Sequence, residues 1–328
     1  MDKFSEIIAL PKGDLHLHLN GAVPTQIVKN LLEKYPEHIP QEFLLEKDLN
    51  ILSPQDNLMD YLRPWRVLNL VPRSKNELIL ICISTFQKLK LDNVKFVEIR
   101  NSVFYIAKLN SISDEEAIKW LIEALELAST LTDIAYGLIM TIKRSESAIN
   151  DLNRLKSAIR NLNYPKQIIG IDLAGNEDLK VSNDLGHKFA ELKYELNLSI
   201  TIHAGETGNL DNVVQAINVF HADRIGHGTA AMYNLEVMNL LKEKNIAVEV
   251  CPISNRRTNS IKDDDYYTFH QFLKYEVPFI LCSDNPAIHK SSLSRDYEVF
   301  LNETNHWGFL ARHFNEQLKY TFIKDIKN

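Results

Sequence analysis

Two rhythms of apolar and polar positions alternate along this chain. Short runs rich in β-branched and apolar residues recur, and each is followed by a longer stretch with apolar residues three or four apart. The short runs begin at Asp14, Val94, Ile134, Gln167, Ser199, Arg224, Ile246 and Pro278. They predict strands over 14–19, 94–100, 134–142, 167–173, 199–203, from 224, 246–250 and 278–282. The longer stretches predict helices over 77–89, 115–131, 145–162, 181–196, 210–219, 235–244 and 266–275, and Pro24 opens an earlier helical run through Leu32. Between 34 and 74 neither rhythm holds. Pro36, Pro40, Pro54, Pro64 and Pro72 interrupt it, with Tyr61 and Trp65 among them. That stretch reads as short helices and turns inserted after the first strand, either a cap over a pocket or an ordinary connection.

About eight strand–helix units in 328 residues fit an α/β fold of the (β/α)8 barrel type, with the helical insertion, as a single domain over 1–328. An open doubly wound sheet is the alternative. No Gly-x-Gly-x-x-Gly follows the first strand, and no phosphate-loop signature occurs.

Composition narrows the function. Hydrophobic residues make up 45% of the chain, enough for a sizeable core, and the formal net charge is −6. A mildly acidic chain argues against a general nucleic-acid or anionic-membrane binder, which needs clustered Lys and Arg. The partner expected is a small molecule. Cys82, Cys251 and Cys282 all lie in apolar runs and are odd in number, so core thiols in a reducing compartment are expected. No basic leader and no membrane-length apolar run is evident, so a cytoplasmic protein is expected.

The candidate chemistry sits at the strand ends. Asp14-Leu-His16-Leu-His18-Leu alternates, so both imidazoles point to one side of a strand. Gly175 follows the fourth strand, His203 and Glu206 end the fifth, His227 ends the sixth and Asp284 follows the eighth. In a barrel these ends converge on one face, where active sites lie. Three imidazoles and a carboxylate, His16, His18, His203 and Asp284, make a donor set for one Zn²⁺, which lowers the pKa of bound water from 15.7 to roughly 7. Glu206 lies too far beyond His203 to be the obvious next ligand. A carboxyl beside a metal and shielded from water gives and takes a proton near neutrality. His227, between Gly226 and Gly228, suits holding and deprotonating the water. His38, His187, His221, His270, His289, His306 and His313 are assigned no chemistry.

Five motifs together resemble the adenosine deaminase family of metal-dependent amidohydrolases: Asp-Leu-His-Leu-His-Leu-Asn-Gly-Ala (14–22), Asp-Leu-Ala-Gly-Asn-Glu (172–177), His-Ala-Gly-Glu (203–206), Arg-Ile-Gly-His-Gly (224–228) and Ser-Asp-Asn-Pro (283–286). Cys-Pro-Ile-Ser-Asn (251–255) and Val-Glu-Ile-Arg (97–100) are similar to it as well. The resemblance implies a (β/α)8 barrel with one zinc that hydrolytically deaminates a purine at C6. It implies that His16, His18, His203 and Asp284 hold zinc, that Glu206 protonates N1, and that His227 orients the attacking hydroxide, with Asp284 also holding that water. It implies a substrate pocket formed by His18, Asn20, Gly175, whose N–H meets purine N3, and Asn285, which meets N7.

Two positions depart from the most familiar pattern. Asn20 stands where an acid associated with the ribose 5′-hydroxyl is usual. Its neutrality repels a 5′-phosphate less, as in members acting on N6-methyl-AMP. Asn285 stands where many members have Asp, and an amide is always a donor toward N7. The resemblance makes adenosine or deoxyadenosine the expected substrate. A 5′-nucleotide or N6-substituted nucleotide, with Arg63 or Lys75 meeting the phosphate, is the alternative, and adenine is a further one. Outside this class stand a two-metal barrel hydrolase bridged by a carboxylated lysine, which the fourth strand lacks, and a non-catalytic binding protein.

Overall fold

The structure, a computed structural model, describes residues 2–262 and 267–326. Its strands are β1 (Lys12–His18), β2 (Val94–Asn101), β3 (Ala135–Lys143), β4 (Ile168–Ala174), β5 (Ser199–Ala204), β6 (Arg224–His227), β7 (Ala247–Val250) and β8 (Phe279–Leu281). All pair in parallel and in sequence order. β8 returns to β1 through one bridge between Leu17 and Asp284, where the His18 N–H donates to Asp284 O at 2.9 Å and the Asp284 N–H donates to His16 O at 2.8 Å. The result is a nearly closed (β/α)8 barrel.

Local chemistry explains where its helices begin and end. Ser74 and Ser113 accept the backbone N–H of Glu77 and Glu116, which starts the helices Lys75–Leu91 and Asp114–Thr132. Asp133 and Asn197, at φ 59 and 53, end Asp114–Thr132 and Asn183–Leu196 in the left-handed region that Asn and Asp tolerate.

Side-chain alternation divides each strand between two environments. Val97, Ile99, Ile171, Leu173, Ile200 and Ile202 face the helices and join the main apolar core. Their neighbours Glu98, Arg100, Asp172, Thr201 and His203 point inward, with Arg224 and Glu249. An apolar barrel interior is the common arrangement. Here the interior is charged, and its members neutralise one another. Arg224 pairs with Glu98 and Glu249, while Arg100 pairs with Glu249 and Asp172. Buried charges persist only when paired and hydrogen-bonded.

The helix Trp307–Tyr320 covers the barrel end away from the strand C-termini. Gln317 Oε1 accepts the Gly13 N–H at 2.8 Å, and Arg224 Nη1 donates to Tyr320 O at 2.7 Å. A second, smaller apolar cluster of Leu15, Phe96, Ala247, Cys251, Ile280, Cys282 and Tyr320 forms there. All three cysteines are buried and free.

The 34–74 stretch holds a 3-10 turn, Pro36–His38, and the short helices Leu45–Asp48, Leu58–Tyr61 and Trp65–Leu68. It is tied across the strand ends by two backbone bonds, Ile51 N–H to Ile288 O at 2.7 Å and Gln55 N–H to Arg257 O at 2.9 Å. Three short helices, Lys3–Ala9, Val103–Asn110 and Pro252–Arg257, were not anticipated from sequence, and Leu19–Ala22 forms a helical turn directly after β1. Tyr266, the expected start of the helix Tyr267–Tyr275, lies outside the described residues. Among the described residues, no helix is long and apolar enough to cross a membrane.

Candidate active site

β1 turns His16 and His18 to one side, β5 ends in His203, and Asp284 sits just past β8 at the seam with β1. These four side chains meet. One donor atom from each lies within 4.8 Å of every other. His16 Nε2 and His18 Nε2 are each 3.1 Å from His203 Nε2, and Asp284 Oδ1 is 3.5 and 3.4 Å from His16 Nε2 and His18 Nε2. Glu206 is not part of this group, as its spacing from His203 suggested.

The outer nitrogens explain why the inner ones converge. His16 Nδ1 meets Glu249 Oε2 at 2.7 Å, and His203 Nδ1 meets Asp172 Oδ1 at 2.9 Å. A carboxylate accepts, so each Nδ1 carries the proton and each Nε2 presents a lone pair to the centre. Two lone pairs 3.1 Å apart repel unless a cation lies among them. Asp284 Oδ1 is buried and has no hydrogen-bond partner, while its Oδ2 accepts from Ser254 Oγ at 2.5 Å. Three imidazole nitrogens and one orphaned carboxylate oxygen fit a divalent cation.

The imidazoles differ in protonation: burial and Arg100 lower His16, but Asp284 and Glu249 outweigh them and raise it above its usual range. Burial drives His18 well below its usual range and His203 down to about 4, so both are neutral at pH 7. Burial raises the Asp284 carboxyl, but His16 and His18 outweigh it and hold the group well below the usual carboxylate range.

Glu206 lies beyond β5, 6% exposed, with Oε1 lacking a hydrogen-bond partner and 3.7 Å from His227 Nε2. Burial pushes its carboxyl up to about 7. Its loop is clamped by Glu177, which accepts the N–H groups of Gly205, Glu206 (2.7 Å) and Thr207 (3.1 Å) and the Asn212 amide at 3.0 Å. Gly205, at φ 88, makes the turn; a Cβ there would sit 2.9 Å from Val213 Cγ2. His227 ends β6 with its ring 5.0 Å from His16 and 5.2 Å from His203, and Asn255 Oδ1 accepts from its Nδ1 at 2.8 Å. The Nε2 face is thereby free to point at Glu206. Gly226, one residue earlier, leaves space for the His16 ring, whose Cε1 would lie 3.1 Å from a Cβ.

The remaining expected residues line the same face. Gly175 follows β4 at φ 105, two residues before Glu177. Asn285 is buried against Gly21, where a Cβ would meet its Oδ1 at 1.9 Å. Its Nδ2 donates to Tyr61 OH at 2.9 Å. Asn20 donates to Asn69 Oδ1 at 3.0 Å and accepts from Asn101 Nδ2 and Tyr105 OH at 2.9 and 3.1 Å. These partners are all neutral. Arg63 reaches Asp48 and the Phe43 ring, and Lys75 pairs with Glu123, so neither is held toward Asn20.

Sequence reasoning left several residues without a role. Asp172, Glu177, Asn255 and Arg100 lay inside the motifs already singled out, which was the available signal. Glu249 precedes such a motif by two positions. His289 and Tyr61, 3.0 Å apart and buried, carry no local signal in the sequence.

Comparison with known proteins agrees with this geometry. The sequence profile of the family described as Adenosine deaminase matches residues 11–325. An adenosine deaminase of Clostridium botulinum (strain 657) is 31% identical over 298 residues, covering 88% of this chain and 87% of that protein. Among solved structures, an adenine deaminase from Arthrobacter aurescens superposes with a TM-score of 0.85 at 20% identity, covering 97% of this chain and 95% of the other. The Arabidopsis N6-mAMP deaminase superposes with a TM-score of 0.77 at 25% identity, covering 98% and 96%. The chain belongs to the adenosine deaminase family of the metal-dependent amidohydrolase superfamily, and it is a purine deaminase.

Proposed function

We propose that this chain hydrolytically deaminates adenosine and deoxyadenosine, with one Zn²⁺ held by His16, His18, His203 and Asp284, as a single domain. The observation that carries the reading is the convergence of three imidazole Nε2 atoms on an unpartnered Asp284 Oδ1, beside Glu206. When bound, zinc supplies Lewis acidity and lowers the pKa of water at the site toward roughly 7.

The chain's own residues do the rest. Glu206, poised near neutrality by burial, donates a proton to purine N1 and makes C6 electrophilic. His227, fixed through Nδ1 by Asn255, turns Nε2 to the water and accepts its proton. Asp284 orients the same water. The water oxygen bonds to C6, the proton taken by His227 passes to the amino group, the C6–N bond breaks and ammonia leaves, and the C6 hydroxyl returns a proton to Glu206 as it becomes the carbonyl. Gly175 offers its N–H to N3. One N–H of the Asn285 amide is taken by Tyr61, and the other donates to N7. His18 flanks the purine as well as holding the metal. The uncharged surroundings of Asn20 suit the sugar hydroxyl of a nucleoside.

One observation favours a second reading. Asn20 puts no negative charge there, and the chain is 25% identical to an N6-mAMP deaminase, so a 5′-nucleotide or N6-substituted nucleotide is the alternative substrate. Adenine, the substrate named for the Arthrobacter enzyme, is the third. Ammonia release from adenosine, deoxyadenosine, adenine and AMP, and methylamine release from N6-methyl-AMP, measured in parallel, decide among them. Turnover of the nucleosides alone is expected. Turnover confined to the monophosphates would replace the first reading by the second.

A further inference from the structure

The phenol of Tyr61 is the one group from the 34–74 stretch that enters the site's hydrogen-bond network at Asp284. It is 2% exposed, and its oxygen has four neighbours: Asn285 Nδ2 at 2.9 Å, His289 Nε2 at 3.0 Å, Ser254 Oγ at 3.1 Å and Asp284 Oδ2 at 3.3 Å. A phenol has one proton to give and two lone pairs to fill. Asn285 Nδ2 only donates. Ser254 Oγ spends its proton on Asp284 Oδ2 at 2.5 Å. The consistent arrangement has Asn285 and His289 Nε2–H donating to the phenol oxygen, and the phenol proton directed at Asp284 Oδ2 and Ser254 Oγ. His289 then leaves Nδ1 as a bare acceptor, and that atom is buried with no partner.

We propose that Tyr61, locked by His289, is a positioning residue that fixes Asp284 and Asn285 together. This rests on the reading of Asp284 as a metal ligand. Two donors, Ser254 and Tyr61, gather at Oδ2 and turn Oδ1 to the three imidazoles. The Asp284 backbone sits at φ 60, in the left-handed region that Asp tolerates, and the two donors set where its carboxylate turns. The same phenol selects the Asn285 amide orientation, since only Nδ2 can donate to it, and so keeps the second N–H available to substrate. Backbone bonds from Ile51 to Ile288 and from Gln55 to Arg257 hold the stretch that delivers Tyr61 against the loop bearing His289. Docking of the 34–74 stretch and completion of the metal site thus become one event.

The test is competition for Zn²⁺ between a chromogenic chelator and the purified full-length protein, with kcat and KM for the best purine substrate measured alongside. Tyr61→Phe keeps the ring and is expected to weaken metal affinity about tenfold. It should also raise KM, through loss of the fixed amide. His289→Leu is expected to act in the same direction and to be non-additive with Tyr61→Phe. His289→Gln keeps a donor and should lose less than His289→Leu. Asp284→Ala is the control. If Asp284→Ala loses metal while Tyr61→Phe and His289→Leu retain wild-type affinity and KM, the positioning role is overturned and the metal site stands. If Asp284→Ala also retains wild-type affinity, the ligand assignment falls and this inference falls with it.

Discussion

Glu177 holds three consecutive backbone N–H groups, and the middle one belongs to Glu206. Such a clamp sets where the Glu206 carboxyl points. Glu177→Gln replaces acceptors with a donor on one arm, so the loop shifts; a displacement of this kind costs about 100-fold in rate. Steady-state kinetics should register it in kcat, with metal content unchanged. Glu206→Gln removes the proton itself and should lower kcat at least 100-fold, the lower end expected of general acid–base catalysis. Gly226→Ala would press a methyl against the His16 ring, 3.1 Å away, and weaken zinc retention in dialysis against chelator. At this scale the sequence was legible where chemistry repeats locally. His16 and His18 declare themselves by a spacing of two on a strand. Glu249 and Tyr61 do not, because each acquires its meaning from partners more than 190 residues away in the chain, as Glu249 from His16 and Tyr61 from Ser254.

Elements were read from periodicity, and their legibility followed their length. Asp114–Thr132 shows its pattern over nineteen residues, whereas Lys3–Ala9 has seven and buries only Ile7. Val103–Asn110 opens Val-Phe-Tyr-Ile, which reads as more strand after β2. The last helix, Trp307–Tyr320, carries a prediction of its own. Its His313 is buried, accepts the Leu281 N–H through Nε2 at 2.9 Å, and is held by burial at about 3 against its usual 6.5. The unfolded chain takes up that proton near 6.5 and the folded chain only near 3. The stabilisation is therefore complete above pH 6.5 and is lost as pH falls toward 3. Urea unfolding of the metal-free protein should show stability dropping from pH 6.5 to 4, with a slope that His313→Gln makes shallower. An unchanged slope in the variant would assign the acid sensitivity to other groups.

For the molecule as a whole, the barrel topology was readable because every strand carries its own signal and strand order follows the sequence. The charged barrel interior was not readable, since Arg100, Asp172, Arg224 and Glu249 compensate one another only across different strands. That interior has a purpose in this account. It anchors the Nδ1 atoms of His16 and His203 through Glu249 and Asp172, and so aims two of the four donors. The nearly closed seam between β8 and β1 adds the other two, Asp284 and His18, at the point where the barrel is joined by a single bridge. In this account architecture and the proposed metal site are the same construction, which makes metal stoichiometry the most direct check. Protein stripped of metal should release no ammonia from adenosine, and zinc titrated back should restore the rate linearly up to one equivalent per chain. Full activity in the stripped protein, or a requirement for two equivalents, would contradict the account.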